Sequence, residues 1–172
     1  MKFSQKLVFA IAAPLAMSSA AVAPVAVANV GAVESNVAMR LFMGRTESIG
    51  TLKKALQSPV KLRTLGTGRM AGDTLMLDHV ITEAGKPQRT RNWQFKQALG
   101  NQWTGSVSDG VGPLTATLNG NRLSIRYKMK GGLLVKQSID IAPDARSARN
   151  RTKVTKLGVQ VGSYDETIRK VD

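Results

Sequence analysis

The side chains able to do chemistry in this sequence are few and scattered. Asp78 and His79 are adjacent, and a carboxylate beside an imidazole suggests two members of a Ser-His-Asp arrangement. Neighbouring residues of a strand point to opposite faces, however, and no G-x-S-x-G elbow supplies a nucleophile. Glu47 and Glu166 could serve as the paired carboxylates of a glycoside hydrolase. Nothing in their spacing fixes the separation that chemistry needs, and aromatic residues, at 5%, are sparse for a sugar cleft. Gly66-x-Gly68 followed by Gly72 misses the dinucleotide fingerprint by one position and lies between strands rather than opening a helix, so it reads as turn chemistry. With no cysteine, disulfides and thiolate zinc sites are excluded, and a single histidine is too few for an imidazole-built metal centre. The residues specify no reaction and no cofactor, and the reading leans away from an enzyme.

The elements that must position these residues are strands. The stretch from Arg122 to Ala142 is a hairpin: Leu123, Ile125, Tyr127 and Met129 share one face of the first arm, and Leu133, Val135, Gln137, Ile139 and Ile141 share one face of the second. Gly131-Gly132 is expected to form a two-residue turn between them. Gln137 interrupts an otherwise apolar face. The same alternation sets Arg91, Trp93 and Phe95 on one face, Ala148, Asn150, Thr152 and Val154 on another, and Tyr164, Glu166 and Ile168 on a third. Strand three is undecided, since either Leu75, Leu77, His79 and Ile81 face inward or Met76, Asp78 and Val80 do. Turn signals such as Asp109-Gly110 and Asn119-Gly120 separate about ten short strands, with only a short helix-like segment near Val37. A meander of hairpins without internal repeats predicts one all-β domain, an antiparallel up-and-down barrel.

Ahead of the strands, Lys2 and Lys6 precede a long alanine-rich apolar run ending in Ala26-Val27-Ala28, which reads as a secretory signal peptide over residues 1–28. A flexible segment is expected over residues 29–36 and the barrel over residues 37–172. The protein is therefore expected in the periplasm or secreted, with an uncleaved inner-membrane anchor as the lesser alternative. The formal charge of +14 calls for an anionic partner, and cleavage would remove two lysines and no acids. Lys61, Arg63, Arg69, Arg126, Lys128, Lys130, Lys136, Arg149, Arg151 and Lys153 fall on outward faces. They form either a solvated surface or a patch resting on an anionic membrane; export and the lack of interleaved aromatics argue against nucleic acid.

Phe42-Met43-Gly44-Arg45-Thr46-Glu47, GDTLMLD from Gly72 to Asp78, Arg91-x-Trp93, WTGSVSD, GNRLSIRY, NRTKVTKLGV and the closing E-T-I-R-K, taken in that order, resemble a family of uncharacterised bacterial envelope proteins, domain of unknown function 3833. The resemblance runs from about Phe42 to Lys170. It implies a lipocalin-like (calycin) barrel of about eight to ten strands and brings no catalytic residues with it. Many relatives look like lipoproteins with a lipobox cysteine, which this chain lacks.

If the apolar faces point inward, the polar residues beside them are Glu47, Arg91, Gln137, Asn150 and Glu166, with the Tyr127 hydroxyl and the Trp93 ring alongside. One reading makes them a structural network in which Arg91 neutralises a carboxylate. The other makes them the polar anchor of a lipid-like ligand, with Arg91, Tyr127 and Gln137 meeting its carboxylate or carbonyl. Trp93, Trp103 and Phe95 are expected mainly as core fillers. The expected function is non-enzymatic binding or carriage of a hydrophobic molecule in the bacterial envelope. The alternatives are a side-chain-filled barrel acting through its basic outer face, and a small lipid-modifying enzyme.

Overall fold

The computed structural model describes residues 36–171, so the leader reading and most of the flexible segment lie outside the described residues. Ten antiparallel strands follow one another in chain order and close into a barrel. They are β1 (Gly44–Lys54), β2 (Val60–Ala71), β3 (Thr74–Glu83), β4 (Arg89–Gln97), β5 (Gln102–Val107), β6 (Leu114–Asn119), β7 (Arg122–Met129), β8 (Leu133–Ile141), β9 (Ser147–Lys156) and β10 (Val159–Lys170). Each pairs with its sequence neighbour, and β1 pairs with β10 to remove the last free edge. This is the expected all-β up-and-down barrel.

Period-2 alternation decides which side chains enter the barrel. Leu123, Ile125 and Tyr127 of β7, Val135, Ile139 and Ile141 of β8, and Trp93 and Phe95 of β4 are all buried, as their spacing predicts. The β7–β8 connection differs from expectation. Met129 pairs with Leu133, so the loop is three residues, Lys130–Gly132, with positive φ at both Gly131 and Gly132.

One end of the barrel is plugged by α1 (Val37–Phe42), whose residues Val37, Ala38, Met39, Leu41 and Phe42 join the core with Leu75, Phe95, Trp103 and Leu114. Asn36 caps it, its Oδ1 accepting from the Met39 N–H at 2.8 Å. At the helix's C-terminus Lys170 Nζ donates to the carbonyls of Arg40, at 2.9 Å, and Met43, at 2.5 Å. Gly68 on β2 lies so close that a Cβ there would collide with the Phe42 carbonyl oxygen. The other end, formed by the β1–β2, β3–β4, β5–β6, β7–β8 and β9–β10 connections, stays open.

Candidate functional site

Between plug and mouth lies a cavity of about 600 Å³. Its two walls differ in chemistry because the strands contribute different inward rows. From β3 to β7 the row is mainly apolar and aromatic, with Leu75, Leu77, Ile81, Trp93, Phe95, Trp103, Leu123, Ile125, Tyr127 and Met129, and with His79 and Arg91 towards the mouth. Trp93 stacks on Phe95 at 5.9 Å and meets Tyr127 edge-on at 5.4 Å, fixing this wall as one aromatic block. From β8 through β10 to β2 polar side chains, Gln137, Asn150, Thr152, Tyr164, Glu166, Thr46, Ser48 and Thr64, are interleaved with apolar ones such as Val135, Ile139, Val154 and Ile168.

Register brings the polar row to a focus. Gly50 of β1 pairs with Glu166 of β10, which pairs with Asn150 of β9, and Tyr164 pairs with Thr152. The Glu166 carboxylate accepts from Ser48 Oγ at 2.5 Å, Asn150 Nδ2 at 2.8 Å and Tyr164 Oη at 3.0 Å. All three donors are neutral, and Glu166 has no ion-pair partner among the described residues. Burial, then the neighbouring Glu166 charge, pushes the Tyr164 phenol up, so it stays protonated and donating. Gly50 makes the arrangement possible: a Cβ there would lie 2.6 Å from both the Tyr164 ring and Glu166 Cβ. Three buried polar atoms in this region have no hydrogen-bond partner, Asn150 Oδ1, Thr152 Oγ1 and Trp93 Nε1. Such atoms are costly unless something in the cavity meets them.

Arg91 stands nearer the mouth and is not free. Its guanidinium donates to Asp109 on the β5–β6 connection and sits 5.8 Å from the Trp93 ring. His79, paired in register with Arg91, faces the cavity with its ring edge against Gly66, while Asp78 points outward to Arg69 and Asn92. The strand-three alternative is thereby decided in favour of the Leu75–Ile81 face. Burial, reinforced by the Arg91 charge, pulls the His79 imidazole down to about 4, so it is neutral at ordinary pH. Burial also pushes the Tyr127 phenol up, partly offset by the Arg91 charge and then by its hydrogen bond with Gln137.

Of the sequence candidates, Asn150 and Glu166 are brought together, Gln137 and Tyr127 stand beside one another, and Arg91 and Trp93 line the upper cavity. Glu47 is a correction. It lies on the outer face, ion-paired to Arg63 at 2.5 Å. Ile49 shares that outer face; the inward positions of β1 are Thr46, Ser48 and Gly50, and at Gly50 Tyr164 and Glu166 leave no room for a side chain. Arg91 lines the upper cavity with its guanidinium paired to Asp109, the arrangement of the structural-network reading. Ser48, Thr64 and Thr152 were missed, although the Thr46-x-Ser48-x-Gly50 alternation of small residues was a signal for β1.

Two solved structures share this architecture. The S-type phycobiliprotein lyase CPES from Guillardia theta aligns with a TM-score of 0.63 at 6% identity, covering 83% of this chain and 97% of its own. Rv2717c from M. tuberculosis aligns with a TM-score of 0.62 at 10% identity, covering 78% and 96%. At such identities the likeness establishes the fold, a lipocalin-like barrel. No curated protein matches the sequence. The sequence signature of the family described as "Protein of unknown function (DUF3833)" matches residues 32–170, and the chain belongs to that family.

Proposed function

We propose that this protein binds and carries a hydrophobic, lipid-like molecule in the bacterial envelope, and that the head group of this molecule is a hydrogen-bond donor rather than a free carboxylate. The carrying observation is the hollow, two-walled cavity of about 600 Å³, a size suited to a small-molecule ligand. The aromatic wall of Trp93, Phe95 and Tyr127 suits a hydrocarbon or ring system. The opposite wall offers a carboxylate and the unpartnered Asn150 Oδ1 and Thr152 Oγ1. A fatty carboxylate placed there would face the Glu166 carboxylate, with Arg91 already neutralised by Asp109. A hydroxyl or amine would instead donate to these acceptors. The lysine-led, alanine-rich N-terminal sequence supports export, and the hollow interior weighs against the filled-barrel alternative.

The test is native mass spectrometry of protein purified without detergent, followed by incubation with a long-chain alcohol, a monoacylglycerol and a fatty acid. Retained or acquired ligand, with the alcohol and monoacylglycerol preferred, is the expected result. A mass that stays apo with every ligand overturns the carrier reading, and preference for the fatty acid overturns the head-group assignment.

A further inference from the structure

Two of the three non-glycine residues with positive φ among the described residues are leucines at the open end, Leu56 at 60° and Leu157 at 49°. Their turns adjoin, since Ala55 N–H donates to the Val161 carbonyl at 3.0 Å. In the β9–β10 turn Leu157 and Gly158 both take positive φ, a conformation that Asn-Gly adopts most readily and a leucine side chain disfavours. These leucines contribute nothing to the core either: Leu56 is 106% exposed, Leu157 94%, and the neighbouring Val159 68%. Neither turn formation nor packing accounts for three large apolar side chains here.

Charge at this end is one-sided. Lys53, Lys54 and Lys156 are exposed beside the two turns and make no ion pair among the described residues. Of the acids on this half of the barrel, Glu83 is engaged by Lys86 at 2.5 Å and Asp109 by Arg91, and Asp165 is exposed on β10 two residues from the Ser163 that pairs with Lys53. Asp73 and Asp140 lie towards the plugged end and pair with Lys96, Arg122 and Arg151. Apolar tips ringed by unpaired lysines match the layering of an anionic bilayer, hydrocarbon beneath phosphate.

We propose that the open mouth is a membrane-docking surface. Leu56, Leu157 and Val159 enter the outer layer of an anionic bilayer while Lys53, Lys54 and Lys156 meet its phosphates, so that the cavity opens onto the lipid. The purpose of this docking rests on the carrier reading, but the docking itself is measured without any carried ligand.

The experiment is co-sedimentation of the protein with vesicles of phosphatidylcholine alone and of phosphatidylcholine mixed with phosphatidylglycerol. Wild type is expected to bind the mixed vesicles, weakly the neutral ones, and to be released by salt. Leu56→Asn with Leu157→Asn should lower the affinity at least tenfold while leaving the melting temperature unchanged or raised, because asparagine tolerates positive φ better than leucine. Lys53→Glu with Lys156→Glu should abolish the preference for anionic vesicles. Leu99→Asn, at the plugged end and 82% exposed, is the control and should change nothing. Docking is overturned if wild type does not bind, if binding ignores both lipid charge and salt, or if the double leucine variant binds like wild type. Vesicle binding by a protein that never takes up ligand would sink the carrier reading and spare this one; ligand uptake without vesicle binding would do the reverse.

Discussion

Asn150 donates its amide nitrogen to Glu166 at 2.8 Å and leaves its own Oδ1 buried without a partner. That asymmetry makes Glu166→Gln an informative change. A glutamine can keep its carbonyl on the Asn150 nitrogen and turn its amide nitrogen to the Ser48 and Tyr164 hydroxyls, and in the opposite orientation Asn150 can turn over and accept through the oxygen now idle. The variant should fold, with stability altered by about 1 kcal/mol or less, and it removes the only carboxylate of the polar wall. Affinity for a fatty acid should then rise about tenfold relative to a long-chain alcohol, roughly 1.4 kcal/mol. Competitive displacement titrations with the two ligands check this, and an unchanged ratio would count against Glu166 as the selecting group.

Arg91→Met tests whether Arg91 holds the β5–β6 connection or a ligand. Removing the guanidinium strands the Asp109 carboxylate, one of whose oxygens is already buried without a partner, and loses the contact with Trp93. Because both side chains are partly solvated, the expected loss is about 1–2 kcal/mol of stability, below the cost of breaking a fully buried pair. Chemical denaturation measures it. Ligand affinity should change less than threefold, and Asp109→Asn in the same chain should recover part of the stability. A large affinity loss at unchanged stability would return Arg91 to the role of anchor.

The strand rows were legible wherever apolar residues marked the inward face. Leu123-x-Ile125-x-Tyr127, Trp93-x-Phe95 and Tyr164-x-Glu166-x-Ile168 all enter the barrel as their alternation requires, and the lead-in segment before Gly44 does form the short helix. Phase was lost in β1, where both faces lack a run of apolar residues and the deciding constraint is the Tyr164 ring across the seam between the first and last strands. Sequence carries no direct mark of that pairing. The Arg91–Asp109 contact was hidden for a related reason, since a loop carboxylate has no strand phase to betray its direction. Hollowness, too, is a sum over all ten inward rows and is not written in any one of them.

Gly68→Ala should be among the most damaging single-methyl additions in the barrel. The new Cβ would meet the Phe42 carbonyl oxygen and the Leu77 side chain, and the first of these is backbone that cannot rotate aside. Either α1 lifts from the barrel end or β2 shifts, at a cost of about 1–3 kcal/mol from overpacking. Hydrogen exchange should show faster opening of the Met43 amide, which bonds to the Met39 carbonyl at 2.9 Å, before global unfolding. Unchanged protection there would mean that the helix does not depend on this close approach.

His79 should make the barrel less stable as the solution is acidified. In the unfolded chain its imidazole titrates near 6.5, whereas in the folded protein burial and the Arg91 charge hold it near 4. Between those values only the unfolded state takes up the proton, so stability present above about pH 6.5 declines as pH falls and levels off below about pH 4. The contribution is at most about 3 kcal/mol, less where cavity water reaches the ring. His79→Gln cannot take up that proton and should flatten this limb of the stability curve measured by urea denaturation, leaving the carboxylate-driven loss at lower pH. The variant also separates stability from binding: His79 lines the cavity, so a ligand that donates to the neutral imidazole would bind more weakly to wild type below about pH 4, and equally well to His79→Gln on both sides of that value. A wild-type stability curve as flat as the variant's between pH 4 and 6.5 would show that His79 titrates normally in the folded barrel, and that water reaches it through the mouth.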